Sequence, residues 1–562
     1  MTGRIRLLQV FFCLISVIVI LRLGYWQIIK SPGLSRQAQL QYQSSSALPA
    51  PRGRILSADG HPLADNHLQF NLISDPMVLT RDFSLLNQLL ELLPQPSSAA
   101  ASLKRAQDKK SRWLTLATRL NWEDLKKIDK LNLSGLSSEA VPVRVYPEGS
   151  SSAHLLGFVG KNDSGQPQGY FGLEGFYNRE LSGRPGLLFQ ERDAFNRPIL
   201  LRSENKIFAQ PGRDLSTSID RTVQFIIHNR LLTGLSKYQA SAGTVLVMDP
   251  NSGRVLGMTA LPNYDPLEYY SFPSHLYRNP LTSESYEPGS TFKTIVMSSA
   301  LDARAVTPET ECTICTGPVN IGDMAVRSWN DKYYPKSSMT DVILHSDNVG
   351  MVFVGRKLGK TKLLDYIRRF GFGAPTGIDL EGEIAPPLRD DNRWAEIDLA
   401  TISFGQGIAV TPLQMVTAVS AIANGGKLTA PRVVTSIGDA KNPKNVPQTK
   451  PIQVISRLTA SQITQMMING VNRGEVRYYK PQGYLIAGKT GTAQVPIEGH
   501  YDKEKTIASF IGFAPADDPK FAMLVTLNDP QTSPWGSTTA APLWFDIARD
   551  LFRYFGLGPS RE

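Results

Sequence analysis

The 562-residue chain has three cysteines, too few for a disulfide framework, and seven scattered histidines that form no recognisable metal cluster. It has no Walker A loop, no zinc-finger spacing and no block of Lys/Arg, which makes nucleic acid the weakest partner for a basic chain. No internal repeat and no long low-complexity segment is present. What remains is 41% hydrophobic, 20% charged and 9% aromatic. That composition is ordinary for a folded protein and excludes a disordered, collagen-like or polytopic membrane chain. The length suits three or four domains, each with its own core. A formal charge of +10 and a pI near 9.3 point instead to an anionic membrane or cell-wall polymer nearby.

Hydropathy concentrates at the N-terminus. Arg4 and Arg6 precede an uncharged apolar run over 7–21, and the apolar character resumes after Arg22 as far as Ile29. At about 1.5 Å per residue, a helix over 7–29 crosses a hydrocarbon layer of roughly 30 Å. Arg22 lies late enough to snorkel or to face a membrane partner, and Tyr25 and Trp26 suit an interface. No A-x-A-like site follows, which favours an uncleaved anchor over a signal peptide. With basic residues on the short side, 1–6 is expected to be a cytoplasmic tail. About 530 residues are then outside the cytoplasm, in a single-pass protein of the cell membrane.

Beyond the anchor, Ser45-Ser46-Ala47-Leu48-Pro49-Ala50-Pro51 reads as a linker into an extended segment, Arg52-Gly53-Arg54-Ile55-Leu56. Leu85, Leu86, Leu89, Leu90 and Leu93 recur at helical spacing until Pro94, and helices are also expected over 113–120 and 122–131. This reads as a helical insert, about 79–133, in a β-rich platform spanning 30–213. A second domain, 214–562, opens with β-like runs at 244–248 and 254–259 around Asp249-Pro250-Asn251-Ser252-Gly253. A helical middle follows, then strand signals at 484–487, 507–513 and 521–527 and a closing helix over 541–555. That order predicts an α+β domain with an antiparallel sheet.

Three motifs in this domain carry chemistry. In Pro288-Gly289-Ser290-Thr291-Phe292-Lys293 a turn leads into an apolar helix, so Ser290 stands at a helix start with Lys293 one turn on, on the same face. A serine needs a base to become nucleophilic, and a desolvated lysine supplies one. Ser346-Asp347-Asn348 follows about fifty residues later, and alone reads equally well as a helix cap. Ala487-Gly488-Lys489-Thr490-Gly491-Thr492 ends a β-like run, and alone reads as a strand with a turn. Each is weak by itself. Their conjunction in one domain, in the order S-x-x-K, S-D-N, K-T-G, is specific.

That order resembles the penicillin-recognising serine transferases, and the whole chain resembles a class B penicillin-binding protein, a monofunctional peptidoglycan D,D-transpeptidase. Arg52-Gly53-Arg54-Ile55 resembles the family's entry motif. Arg144-Val145-Tyr146-Pro147, Ala153-His154-Leu155-Leu156-Gly157 and Gly172-Leu173-Glu174-Gly175 resemble its pedestal signatures. Ser403-Phe404-Gly405-Gln406-Gly407 and Val410-Thr411-Pro412-Leu413-Gln414 match a loop and helix of its catalytic domain. Ser57-Ala58-Asp59-Gly60 departs from the usual Asp-Arg-containing turn. Ser-Asp-Asn followed by Val-Gly leans towards the division-type branch.

The resemblance implies a single transmembrane helix, a β-rich pedestal with a helical insert, and a transpeptidase domain whose five-stranded antiparallel sheet is flanked by helices. It implies that Ser290 attacks the penultimate D-Ala of a stem peptide, releasing the terminal D-Ala, and that Lys293 takes its proton. Ser346 would relay a proton to the leaving amine and Asn348 would hold the substrate amide. Lys489, Thr490 and Gly491 would bind the terminal carboxylate region. The N–H groups of Ser290 and Thr492 would form an oxyanion hole, each donor worth about 3 kcal/mol. No metal or cofactor is implied. The implied partners are peptidoglycan stem peptides, β-lactams, the membrane, and a polytopic glycosyltransferase of the shape, elongation, division and sporulation class.

A serine β-lactamase shares the motifs, but no E-x-x-x-N lies between Ser346 and Lys489 and the platform would be unexplained. A D,D-carboxypeptidase differs only in letting water replace the acceptor amine. A silent sensor or scaffold would be expected to have lost a motif residue, and none is lost. The roughly 200 residues before the second domain are too few for a fused glycosyltransferase and a platform. Cys312 and Cys315 are expected to be a short-loop disulfide or an idle thiol pair in the helical block. His345 is expected to be packing or the edge of a cleft.

Overall fold

The structure, a computed structural model, describes all residues except 1, 80–81, 109–113, 192–204, 439–441, 498–499 and 560–562. The chain divides into two compact units: Met1–Arg52 with Leu68–Pro142 and Gly183–Gly212, and Gly53–His67 with Val143–Ser182 and Arg213–Glu562. The second therefore takes in two segments of the expected 30–213 platform.

In the first unit, Gly3–Ile29 is a 27-residue helical span of mean hydropathy 2.4, long and apolar enough to cross a membrane. The Arg22 guanidinium lies 5.7 and 5.5 Å from the ring centres of Tyr25 and Trp26. The expected linker is instead largely a strand: Gln43–Leu48 pairs antiparallel with Gly186–Glu191. Its partner is about 140 residues away, and serines carry no alternation to betray a strand.

The insert is mixed rather than purely helical. Phe83–Glu91, Pro96–Asp108 and Trp122–Asp129 are helices, capped at the first and last by Asp82 and Asn121. Leu114–Leu120, expected to be helical, is a strand paired with Phe70–Ser74, and Trp113 falls outside the described residues. Leu116 and Leu120 satisfy a helical i, i+4 spacing and a strand's even spacing equally, and the remote partner strand decides. Both residues join Phe70, Leu89, Leu103 and Ile128 in one apolar cluster.

In the second unit, three of the quoted motifs converge on one buried arginine. Arg144 Nε donates to Glu174 Oε1 at 2.6 Å, and its Nη1 donates to the Gly53 carbonyl at 2.8 Å and to Asn66 Oδ1 at 3.3 Å. Glu174 is fully buried, and the bonds from Nε and Nη1 offset much of the cost of burying the pair, although Arg144 Nη2 is buried without a partner among the described residues. The departing turn is closed by its own bonds: Ser57 Oγ donates to the His61 carbonyl at 2.9 Å, and Arg221 Nη2 donates to Asp59 at 3.2 Å.

The catalytic-type core is a five-stranded antiparallel sheet between helices. Its strands are β1 (Ala242–Met248), β2 (Val255–Leu261), β3 (Ala487–Ile497), β4 (His500–Ala514) and β5 (Phe521–Asn528), in the spatial order β2-β1-β5-β4-β3. The expected strand at 484–487 begins only at Ala487; the Leu485 carbonyl instead accepts from Ala516 N–H, outside the ladder. Alternation sorts side chains to two faces. Val245, Val247, Met523 and Val525 pack with α1 (Arg221–Tyr238) and the closing helix Ala540–Tyr554. Leu246, Met248, Ile511 and Leu524 pack with the helical middle. That middle contains α2 (Lys293–Asp302), α3 (Met339–Leu344), α4 (Asn348–Leu358), α5 (Pro412–Ala423) and α6 (Arg457–Arg473). Thr411 and Gln414 cap α5 reciprocally at 3.1 and 3.0 Å, with Pro412 at its first position. Cys312 and Cys315 are disulfide-bonded, in a loop rather than a helix.

Candidate active site

Three segments of the second unit line one cleft of about 800 Å³. The first is the 3₁₀ turn Gly289–Thr291, which leads into α2. Gly289 N–H donates to the Gly405 carbonyl at 2.9 Å. Gly405 has φ +86°, and a Cβ on it would lie 2.0 Å from the Gly289 carbonyl oxygen, so only glycine lets this loop back the turn. Ser290 faces the cleft, half-buried. Lys293, one turn on, is fully buried beneath the lining.

The second segment joins α3 to α4. Ser346 adopts φ +54°, a left-handed conformation that costs a non-glycine residue energy and that the surroundings must hold. Asp347 Oδ1 caps α4 by accepting from Val349 N–H at 2.9 Å. Lys293 Nζ donates to the Ser346 carbonyl at 2.6 Å and to Asn348 Oδ1 at 2.7 Å, and lies 3.2 Å from Ser346 Oγ. The lysine thus ties the strained turn to α2.

The third segment is β3, the edge strand, with Lys489, Thr490, Gly491 and Thr492 opposite Ile511, Phe510, Ser509 and Ala508 of β4. An edge strand leaves alternate backbone groups unpaired and available to a ligand. Lys489 Nζ lies 2.9 Å from Ser346 Oγ and also reaches the Thr490 carbonyl at 3.3 Å. A Cβ on Gly289 would lie 3.0 Å from the Thr492 carbonyl oxygen, so the Ser290 turn and β3 abut. Thr492 Oγ1 is occupied, accepting from Gly536 N–H at 3.0 Å.

The electrostatics follow from burial. Desolvation, with the Lys489 charge added, drives the Lys293 amine well below the ordinary lysine range, and Asp347 only partly opposes this. Burial lowers Lys489 to about 8, while the Glu475 charge pushes the other way. Burial and the neighbouring charge therefore favour the neutral amine at Lys293, while Lys489, at about 8, favours the cation at neutral pH. A neutral amine has two N–H groups and one lone pair. The Ser346 carbonyl and Asn348 Oδ1 are obligate acceptors that consume both N–H groups, so the lone pair is left for a hydroxyl proton. Ser346 Oγ, accepting from the Lys489 ammonium, can give its proton to that lone pair.

Seven of the eight expected site residues line the cleft, and the eighth, Lys293, lies directly under it. In this structure the Lys293 amine is engaged by Ser346 and Asn348 rather than by Ser290, whose hydroxyl has no hydrogen-bond partner among the described residues.

Residues 243–553 match the family described as "Penicillin binding protein transpeptidase domain" and residues 47–217 match "Penicillin-binding Protein dimerisation domain". The chain is 34% identical to Stage V sporulation protein D of Bacillus subtilis (strain 168), over all of this chain and 87% of that protein. It belongs to the class B penicillin-binding proteins. Its identity to Peptidoglycan D,D-transpeptidase FtsI of Escherichia coli (strain K12) is 28%, over 96% of this chain and 90% of the relative. Penicillin Binding Protein 2X from Streptococcus thermophilus superposes with a TM-score of 0.77 at 22% identity, covering 92% of this chain and 80% of that one, a likeness of fold.

The cleft also shows contacts that local sequence did not carry. Asn348, expected to hold substrate, spends Oδ1 on Lys293 and one Nδ2 hydrogen on the Arg327 carbonyl at 3.0 Å, which leaves one N–H for a ligand. His345 stacks on Tyr334, centroids 3.9 Å apart, at the cleft edge. Trp329 and Trp535 meet edge-to-face at 5.2 Å on its rim. Single aromatics in loops look alike in sequence, and only the fold brings these two together.

Proposed function

We propose that the chain is a serine-type peptidoglycan D,D-transpeptidase, blocked by β-lactams that acylate Ser290. The observation that carries this reading is the meeting of two buried lysines at Ser346 Oγ, beneath a cleft that presents Ser290. Lys293 takes the Ser290 proton as Oγ bonds to the penultimate D-Ala carbonyl carbon of a donor stem peptide. The N–H groups of Ser290 and Thr492 hold the oxyanion. Lys489 and Thr490, with Gly491 giving close backbone approach, receive the terminal carboxylate. Ser346 passes the proton to the departing D-Ala amine, and Asn348 keeps Lys293 in line while its free N–H takes the substrate amide. An acceptor amine then forms the crosslink and regenerates Ser290.

Residues 30–213 are proposed as the pedestal and 214–562 as the transpeptidase domain. The 7–29 anchor holds the enzyme to the cell membrane, with 1–6 cytoplasmic and the rest outside. Another membrane protein must supply glycan strands, and a polytopic glycosyltransferase that contacts the anchor fits this need. Replacing 7–29 by an unrelated apolar span should preserve penicillin acylation while weakening co-purification with that enzyme. The activity is tested by incubating the full-length protein with a pentapeptide-bearing glycan and following D-Ala release and crosslinked dimers by mass spectrometry. Dimers that disappear with penicillin support the reading. D-Ala release without dimers makes the chain a D,D-carboxypeptidase, and rapid turnover of penicillin makes it a β-lactamase.

A further inference from the structure

The cleft wall beyond Lys489 carries charge that acylation leaves unused. α6 ends at Arg473, and Gly474 turns the chain out of the helix; a Cβ there would lie 2.2 Å from the Gly470 carbonyl oxygen. The next turn, Glu475–Tyr478, is pinned by buried Val476 in the apolar cluster under the sheet. Arg473, Glu475, Arg477 and Tyr478 then line the cleft. α6 runs beside β3 here, since a Cβ on Gly470 would lie 3.8 Å from the carbonyl oxygen of Gly488, the neighbour of Lys489.

Glu475 is the one carboxylate among the described lining residues, exposed and with no ion pair or hydrogen bond of its side chain among the described residues. Arg473 and Arg477 likewise have no carboxylate partner among the described residues. Arg477 Nη1 instead donates to the Arg473 carbonyl at 3.2 Å, and its guanidinium sits 4.4 Å from the Tyr478 ring centre. Two guanidiniums and one carboxylate on a cleft wall, none in an ion pair among the described residues although Arg477 also bonds the Tyr478 hydroxyl, are a recognition surface for a ligand carrying both signs.

The chemistry says which ligand, on the transpeptidase reading. The amine expelled during acylation leaves on the Lys489 side, because its neighbouring carboxylate is held there. By microscopic reversibility the acceptor amine enters along the same line, with the rest of its peptide on the same side. Its nitrogen forms a bond to the acyl carbon, the carbon–oxygen bond to Ser290 breaks, and the amine proton passes through Lys293 to Ser290 Oγ. We propose that Arg473, Glu475 and Arg477 form the acceptor subsite, which takes an acidic stem peptide: Glu475 draws in its amine as the ammonium, which gives its extra proton to solvent before the neutral amine attacks, and the two arginines bind its carboxylates beyond the reacting residue.

The test gives full-length protein a thioester donor peptide with either an acidic stem-peptide acceptor or the same peptide with its carboxylates amidated. The ratio of aminolysis to hydrolysis is read by mass spectrometry. Replacing both arginines, Arg473→Gln with Arg477→Gln, should lower the ratio about tenfold for the acidic acceptor and less than about twofold for the amidated one. Glu475→Gln should lower it for both. The lysine pair Arg473→Lys with Arg477→Lys, which keeps charge, should recover part of the ratio, and total donor consumption reports that each variant is folded. Unchanged ratios in any of these variants, or equal loss with both acceptors in the Arg473→Gln, Arg477→Gln protein, overturn the subsite. Wild-type protein that gives only hydrolysis with either acceptor overturns the transpeptidase reading itself, and the subsite with it.

Discussion

The helical wall and the strand wall of the cleft each present a buried lysine, and their surroundings differ in ways that suit the two opposite jobs proposed for them. On the helical side Lys293 meets two obligate acceptors, a serine hydroxyl and a second ammonium. On the strand side Lys489 is nearly as buried, but it feels the Glu475 carboxylate and borders the open cleft. Burial alone therefore does not decide what a lysine does. The number of lone pairs around it and the sign of the nearest charge do.

The comparison breaks most sharply at Lys293. Lys293→Arg replaces a base by a group that stays protonated, and acylation by a fluorescent penicillin should fall about a thousandfold. Lys489→Arg keeps the charge and should retain part of the rate; equal and complete loss in both variants would contradict the division of labour.

The next largest effect should come from the residue that sets the Lys293 lone pair. Asn348→Asp places a carboxylate against the amine, which favours the ammonium. Acylation near pH 7 should fall about tenfold, and the acid limb of the pH–rate profile should move to higher pH, a shift that mere loss of packing does not produce.

A further effect is set by pH on the strand side. Lys489 is charged below about 8 and neutral above it, so carboxylate recognition is present at neutral pH and lost as pH rises. The second-order acylation rate should fall roughly tenfold between pH 7 and pH 9. In Lys489→Arg this alkaline limb should vanish, because guanidinium does not titrate there.

The smallest effect on acylation rate should come from a charge pair with no chemical task. Arg144 and Glu174 are about as buried as the lysines but form an ion pair with each other at 2.6 Å. Glu174→Gln should cost about 3 kcal/mol of stability by denaturant titration, while acylation of the remaining folded protein stays within about twofold.

These contrasts explain what was readable in the sequence. Ser290 and Lys293 sit one helical turn apart and Lys489 opens a K-T-G, so the chemistry is written in local spacing. Four of the five strands and the closing helix of the core were legible, with Val245, Val247, Met523 and Val525 alternating with residues of the opposite face, whereas the edge strand Ala487–Ile497 was expected at 484–487 and shares one residue with that range. Leu114–Leu120 and Gln43–Leu48 were misread because their strand partners are remote and their own patterns are ambiguous or polar. The Cys312–Cys315 bond and the Trp329–Trp535 contact depend on loop paths that no periodicity encodes. Asn348 was legible as a site residue, but its grip on Lys293 emerged only from the turn at Ser346.

The central claim is that Ser290 is the nucleophile, activated from below. The most direct measurement is intact mass followed by peptide mapping after exposure to penicillin, for wild type and Ser290→Ala. The account predicts one stable adduct per chain, on the peptide containing Ser290-Thr291-Phe292-Lys293, and none in the variant. No adduct in wild type, or an adduct that survives in Ser290→Ala, would contradict it.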